Sequence, residues 1–258
     1  MNPGVFISSA PSAAVVMTDG PDVSVILPVY RNRATLVTLH QRLTQVLLSG
    51  GADYELVFVD DGCPEASGEL LAEMAASDPR LRVLTHERNR GQQRAVLSGI
   101  AAAGGRRIVI MDADLQDPPE AIPALLAKSE EGFDAVFAGR RGCYESIGRL
   151  LTSRLFKRVL HHACGVPADA GIFMVLSREG AGQLAALNET RPAIVAMVGC
   201  AGLKMASLPV ERSERPAGAS AYSSWERMRA GAGALLRVPI WKRRLRQAQA
   251  GNGGGGAS

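Results

Sequence analysis

The stretch RIVIMDADLQDPPE, Arg107 to Glu120, decides how the rest of the chain is read. After Arg107, Ile108 to Met111 form an apolar run of the kind expected for a strand buried on both faces. The run stops abruptly at Asp112-Ala113-Asp114-Leu115-Gln116-Asp117. Two carboxylates two residues apart, with the amide oxygen of Gln116 nearby, suit a hard divalent cation. Such a cation takes oxygen ligands and keeps positions for substrate phosphates. The same residues also fit a plainer role. Asp117 before Pro118-Pro119-Glu120 has the form of a helix N-cap followed by proline in the first turn. The two readings are compatible, with Asp117 capping and the preceding pair binding.

Working outward, strand and helix alternate in short units. Val23–Tyr30 (VSVILPVY) and Glu55–Asp60 (ELVFVD) are further apolar strands, and Leu81–Glu87 is a third. Between them, Arg33–Leu48 carries Leu36, Leu39, Leu43, Val46 and Leu47 at helical spacing, closed by Gly50-Gly51. Ser67–Ala76 and Gly91–Ala103 are the next two helices. This alternation predicts an α/β fold, a mostly parallel sheet with helices on both faces. In such sheets ligands gather at the carboxyl ends of the strands. The polar clusters Tyr30-Arg31-Asn32, Asp60-Asp61-Gly62 and Asp112–Asp117 all fall there, which favours a ligand bearing phosphate or sugar.

The second half is less regular. Phe133–Arg140 reads as a strand, Ser146–His162 as a basic amphipathic helix, and Gly171–Leu176 as a strand. A helix is expected near Glu179–Leu187, a strand at Leu203–Val210, and a last helix at Ser223–Leu236 that Pro239 ends. No internal repeat is present.

The 258 residues suffice for a full core, and 47% hydrophobic with 21% charged residues is ordinary for a globular protein. Cys63, Cys143, Cys164 and Cys200 form no close pair, which points to reduced thiols in a cytoplasmic protein rather than a disulfide framework. The net charge of +4 is unevenly spread. Seven cations and no acid follow Glu226, so residues 1–226 hold 22 basic against 25 acidic residues. That balance argues against a nucleic-acid partner and marks a cationic tail that either meets an anionic surface or is simply solvated. No stretch approaches the ~20 apolar residues of a membrane span. Residues 1–21 are expected to be a flexible leader rather than a signal peptide. Residues 22–238 are expected to form one domain, and 239–258 a basic, then glycine-rich, tail.

The string DADLQDPPE after RIVIM resembles the metal and nucleotide motif of family 2 inverting glycosyltransferases, and within them the polyprenyl-phosphate glycosyltransferases. Four further segments match in order. VSVILPVYRN (Val23–Asn32) resembles the family's first strand, with Arg31 in place of an asparagine. VFVDDGC (Val57–Cys63) resembles V-x-D-D-G-S, with Cys63 in place of serine. NRGQQRAVLSGIAAA (Asn89–Ala103) resembles the N-x-G-x-x-x-A-x-x-x-G helix, and ERPAGASAY (Glu214–Tyr222) resembles E-R-x-x-G-x-S-K-Y, with Ala221 in place of lysine.

The resemblance implies a GT-A fold, with a Rossmann-like nucleotide-sugar half (22–118) and an acceptor half (119–238). It implies a donor site of Pro28, Tyr30, Asp60, Asp61, Asn89, Gln92, Asp112, Ala113 and Asp114. Asp60 or Asp61 would accept from base N–H groups. Asp112, Asp114 and Gln116 would hold Mg2+ or Mn2+ against the diphosphate of a UDP- or GDP-sugar. Arg140 and Arg215 would neutralise phosphate, and Asp169 would lie near the reaction centre as the base, where one is needed, with Asp114 also counted as catalytic.

The implied acceptor is a polyprenyl phosphate. With a second pKa of about 6, a phosphate monoester is largely ionised at neutral pH and attacks without a strong base. Relatives with membrane spans continue apolar beyond the equivalent of Pro239, whereas this chain gives Trp241-Lys242-Arg243-Arg244-Leu245-Arg246. A lipid acceptor would then require peripheral contact with the inner face of the membrane, through Trp241 and the basic tail. A soluble acceptor, a metabolite or saccharide, is the alternative. A non-catalytic nucleotide-sugar-binding protein is the remaining class, and the intact Asp112, Asp114 and Gln116 speak against it.

Overall fold

A computed structural model describes residues 20–141, 161–212, 233 and 235–247, with the backbone alone at Arg140 and Arg141. Seven strands form one sheet: β1 (Val23–Val29), β2 (Tyr54–Asp60), β3 (Leu81–Thr85), β4 (Arg107–Ile110), β5 (Ala135–Arg141), β6 (Met174–Ser177) and β7 (Met205–Glu211). Their order across the sheet is β3-β2-β1-β4-β6-β5-β7. Every neighbouring pair is parallel except the two that involve β6. The expected α/β architecture is therefore the observed one, with a single reversed strand.

Each strand face has its own core, because side chains alternate across a pleated strand. Val25, Leu27, Leu56 and Phe58 meet α1 (Leu36–Ser49), α2 (Ser67–Ser77) and α4 (Ile122–Glu130) through Leu39, Leu43, Leu71 and Leu125. Ile26, Val57 and Val59 face the other way. They meet α3 (Gln92–Ala102), α5 (Arg178–Ala186) and α6 (Ile194–Cys200) through Val96, Ile100, Leu184 and Met197. Both faces of β1 and β2 are fully buried, which is why these strands read as unbroken apolar runs.

The differences from the sequence reading lie mostly in the second half. Helix α6 had no clear amphipathic signal, since its Ile194, Ala196, Met197, Val198 and Cys200 are all buried. The strand expected at Gly171–Leu176 begins at Met174, and that expected from Leu203 begins at Met205. Of the basic helix expected over Ser146–His162, only its end lies among the described residues, helical at 161–164.

Pro239 does not end the last helix. Helix α7 (residues 235–247) runs through it. A proline forfeits one helical hydrogen bond, but Val238, Trp241 and Leu245 pack one face of α7 into the core, and tertiary burial wins. Trp241 is fully buried, and its indole N–H donates to Glu189 Oε2 at 2.7 Å. That corrects the expectation of a tryptophan at the lipid headgroups. Among the described residues no helix is long and apolar enough to cross a membrane.

Candidate active site

The sheet winds outward in both directions from β1, with β2 on one side and β4 on the other. A crevice opens at such a switch point, at the carboxyl ends of the strands. Here β1 pairs with β2 as far as Val29 but with β4 only as far as Ile26. The chain leaving β4 peels away after Met111, whose N–H donates to Ile26 O at 3.2 Å. The acidic segment therefore lines the mouth of the crevice, beside the end of β1 that carries Pro28 and Tyr30.

Local chemistry holds that segment in place. Ala113 is buried, and its carbonyl accepts from Thr35 Oγ1 at 2.5 Å. Asp114 is 9% exposed, and its Oδ1 accepts from the Gln116 N–H at 3.1 Å. Leu115 between them has φ of 61°, a left-handed conformation uncommon for a branched side chain and typical of functional turns. Asp112 is half-buried, and its Oδ1 accepts from the Gln92 amide at the start of α3. Asp117 does not cap a helix. Its carboxylate is ion-paired with Arg212, just after β7, with Nε 2.6 Å from Oδ1 and Nη2 donating to Oδ2 at 3.0 Å. The helix cap itself falls one residue later, at Pro118, and the charge-assisted pair with Arg212 holds the Asp117 carboxylate.

Both acids at the end of β2 turn inward. Asp60 Oδ1 accepts from the Cys63 N–H at 2.9 Å. Asp61 is 1% exposed and accepts from His86 Nδ1 at 2.7 Å, Arg90 N–H at 2.9 Å and Gly91 N–H at 2.7 Å. Asn89, next to these, is exposed, and its Oδ1 accepts from Gly91 N–H at 3.0 Å.

Asp169 lies at the β5–β7 side of the sheet, where Ser207 Oγ donates to its Oδ2 at 2.8 Å. Only a glycine fits beneath it, since a Cβ on Gly139 would come within 2.1 Å of that oxygen. Arg140 belongs to β5, opposite Val210 of β7. Its side chain, Arg215 and Ala221 lie outside the described residues.

Asp112 and Asp114 offer hard oxygen donors at one loop, and among the described residues no third His, Cys, Asp or Glu joins them as a metal cluster. That donor set fits a cation held by few protein ligands, with diphosphate oxygens and water completing its shell. Thr35, His86, Ser207 and Arg212 support the site but carry no motif of their own. The bonds from these four to Ala113, Asp61, Asp169 and Asp117 span 25 or more residues in sequence, beyond any local pattern.

The model of glycosyl transferase family 2 matches residues 24–204. The chain belongs to this family. Among its relatives is the uncharacterized glycosyltransferase YkcC of Bacillus subtilis (strain 168), 35% identical over 204 residues, 77% of this chain and 62% of that protein. Undecaprenyl-phosphate 4-deoxy-4-formamido-L-arabinose transferase of Enterobacter sp. (strain 638) is 34% identical over 205 residues, 78% of this chain and 62% of that protein. The chain thus spans about three-fifths of the length of these two relatives. Among solved structures, glucosyl-3-phosphoglycerate synthase from Mycobacterium tuberculosis, in complex with Mn2+, UDP and glucosyl-3-phosphoglycerate, superposes with a TM-score of 0.62. At 20% identity, over 86% of this chain and 80% of that one, it shows the shared GT-A fold. The family 2 chain therefore combines a glycosyltransferase fold with the acidic segment at its crevice.

Proposed function

We propose that this family 2 glycosyltransferase transfers a sugar, with inversion, from a UDP- or GDP-sugar to a polyprenyl phosphate. The observation that carries the reading is the placement of Asp112 and Asp114 at the mouth of the β1/β4 crevice, in a loop pinned by Thr35, Gln92 and Arg212. Support for the acceptor comes from the relative named for an undecaprenyl-phosphate substrate.

Residues 22–118 would hold the donor and 119–238 the acceptor. The nucleotide would lie along Pro28, Tyr30, the Asp60-Asp61 turn, Asn89 and Gln92. Asp112, Asp114 and Gln116 would hold Mg2+ or Mn2+, which neutralises the departing diphosphate when bound. Arg140 and Arg215 would screen phosphate charge as the acceptor approaches the sugar from the opposite side. The acceptor oxygen attacks the anomeric carbon while its bond to the nucleoside diphosphate breaks. An ionised phosphate needs no proton removed. Asp169, held by Ser207, would take the proton from an acceptor that carries one.

Contact with the membrane, at its inner face, would use the outer side of α7. Leu236 is 80% and Ile240 49% exposed there, and Arg243 and Arg244 follow in the exposed last turns. Apolar side chains beside arginines suit an anionic bilayer surface. A soluble acceptor is the second reading, favoured by the absence of a spanning helix among the described residues.

The test incubates purified protein and Mn2+ or Mg2+ with a panel of UDP- and GDP-sugars, with and without short-chain polyprenyl phosphate. Metal-dependent glycosyl lipid is the expected product. Transfer to a soluble acceptor, with none to any lipid phosphate, would move the assignment to the second reading. Nucleotide-sugar binding without turnover on either acceptor class would leave only a binding protein.

A further inference from the structure

The sequence motifs leave out His86, yet its side chain is enclosed beside the crevice against the buried Asp61. Its side chain is 8% exposed and that of Asp61 2%. Two backbone N–H groups, which only donate, already bind the Asp61 carboxylate, and a carboxylate accepts. His86 Nδ1–H therefore donates to Asp61 Oδ1 at 2.7 Å, and Nε2 shares a hydrogen bond with Ser98 Oγ at 2.9 Å. Ser98 lies in the interior of α3, away from any cluster of free amides that would stabilise an oxyanion. The Ser98–His86–Asp61 chain thus orients groups and does not attack a substrate.

What it orients is the loop Glu87–Gly91. The two Asp61 oxygens grip the successive amides of Arg90 and Gly91, and Gly91 starts α3 with φ of 89°. The loop rests on Gly62, where a Cβ would lie 2.7 Å from the Arg88 carbonyl carbon. Gln92 comes next, and its amide donates to Asp112. A continuous path runs from Ser98 through His86, Asp61 and Gly91 to the acidic segment.

We propose that His86 is a positioning residue for the donor, fixing through Asp61 the loop and helix start that receive the nucleotide. This rests on the reading of the crevice as a nucleotide-sugar site. Both ring nitrogens of His86 are engaged by protein groups, so its removal loosens a preformed pocket and weakens binding more than it slows bond making.

The experiment titrates UDP and GDP with Mn2+ into the full chain and its variants by calorimetry, and measures KM and kcat with the active nucleotide sugar. His86→Ala is expected to weaken nucleotide binding and raise KM by about tenfold, with kcat within about twofold. His86→Asn places an amide N–H where Nδ1–H stood and is expected to restore KM to within about threefold. His86→Gln reaches toward Ser98 instead and is expected not to. Unchanged KM in His86→Ala, a loss confined to kcat, or failure of His86→Asn to rescue would each overturn the proposal. Wild-type protein that binds neither nucleotide would overturn the donor reading, and this inference with it. Should His86→Ala not fold, Ser98→Ala removes only the outer hydroxyl. Faster hydrogen exchange at the Arg90 and Gly91 amides is then expected, and unchanged exchange would overturn the idea.

Discussion

At its amino end the sheet buries Glu55 against Ser24, its register partner on the neighbouring strand, while at its carboxyl end it presents Asp112 and Asp114 at an open crevice. Ser24 Oγ donates to Glu55 Oε1 at 2.6 Å, and the Gly104 N–H donates to the same oxygen at 2.6 Å. Arg82 pairs with Oε2 at 2.7 Å. Every oxygen of that carboxylate is committed to the protein. Asp112 and Asp114 stand on a loop with a left-handed residue at Leu115, beside a gap between strands. Glu55 at the amino end is committed to holding the fold together, whereas Asp112 and Asp114 at the carboxyl end are the acids to which the proposed chemistry falls.

The largest effect should come from the carboxyl end. Asp114→Ala removes the carboxylate to which the proposed function gives the metal and diphosphate, and is expected to lower kcat/KM by about 10^3-fold or more. Its thermal midpoint should stay within a few degrees of wild type, because the segment keeps its anchors at Thr35, Gln92 and Arg212. Steady-state kinetics beside a melting curve measures both. Retained turnover would end the metal assignment, and a collapse of stability would erase the contrast between the two ends.

Glu55→Ala should behave in the opposite way. It strands the Ser24 hydroxyl and the Gly104 amide in the interior, with an expected loss of about 3 kcal/mol in denaturant unfolding. Activity per folded molecule should be unchanged. Burial alone would raise the Glu55 pKa, but the bonds from Ser24 and Gly104 and the Arg82 guanidinium outweigh it and hold the carboxyl below its usual range. A carboxyl depressed in the folded state binds fewer protons there than in the unfolded chain. Its contribution is present above the unfolded value of about 4.3 and is lost as pH falls through the lower, folded value. Glu55→Gln should therefore flatten the acid limb of stability below about pH 4.3, leaving the neutral activity in place.

The same contrast explains what could be read from residues alone. Strands β1 and β2, and β4 after Arg107, are buried on both faces, so each is a nearly continuous apolar run, and the alternation of such runs with helices carries the fold. Ser24 and Glu55 do not break those runs because they satisfy each other across one register pair. The position of the acids at strand ends was equally legible. Their partners were not. Arg212 meets Asp117 from 95 residues away, and Trp241 meets Glu189 from 52. Local pattern assigns Asp117 to a helix cap and Trp241 to a surface, and only long-range packing reassigns them. Pro239 is a similar case, a local breaker overruled by the burial of Val238, Trp241 and Leu245.

The smallest effect separates strain that serves the site from strain that is incidental. Arg31 has φ of 59°, in the turn that follows β1, where the family resemblance places an asparagine. Asparagine is the non-glycine residue that best tolerates this region, since its short amide bonds the local backbone. The Arg31 guanidinium sits 5.4 Å from the Tyr30 ring centroid, a contact worth about 0.5–1 kcal/mol when exposed, which offsets part of the backbone cost. Arg31→Asn should therefore change unfolding free energy by less than about 1 kcal/mol, in the stabilising direction. Leu115→Asn makes the same backbone relief inside the acidic segment. If conformation were all that mattered, the two variants would behave alike. The expected result is that both hold or gain stability while only Leu115→Asn, by loosening the link between Asp114 and Asp117, raises the concentration of Mn2+ needed for half-maximal activity.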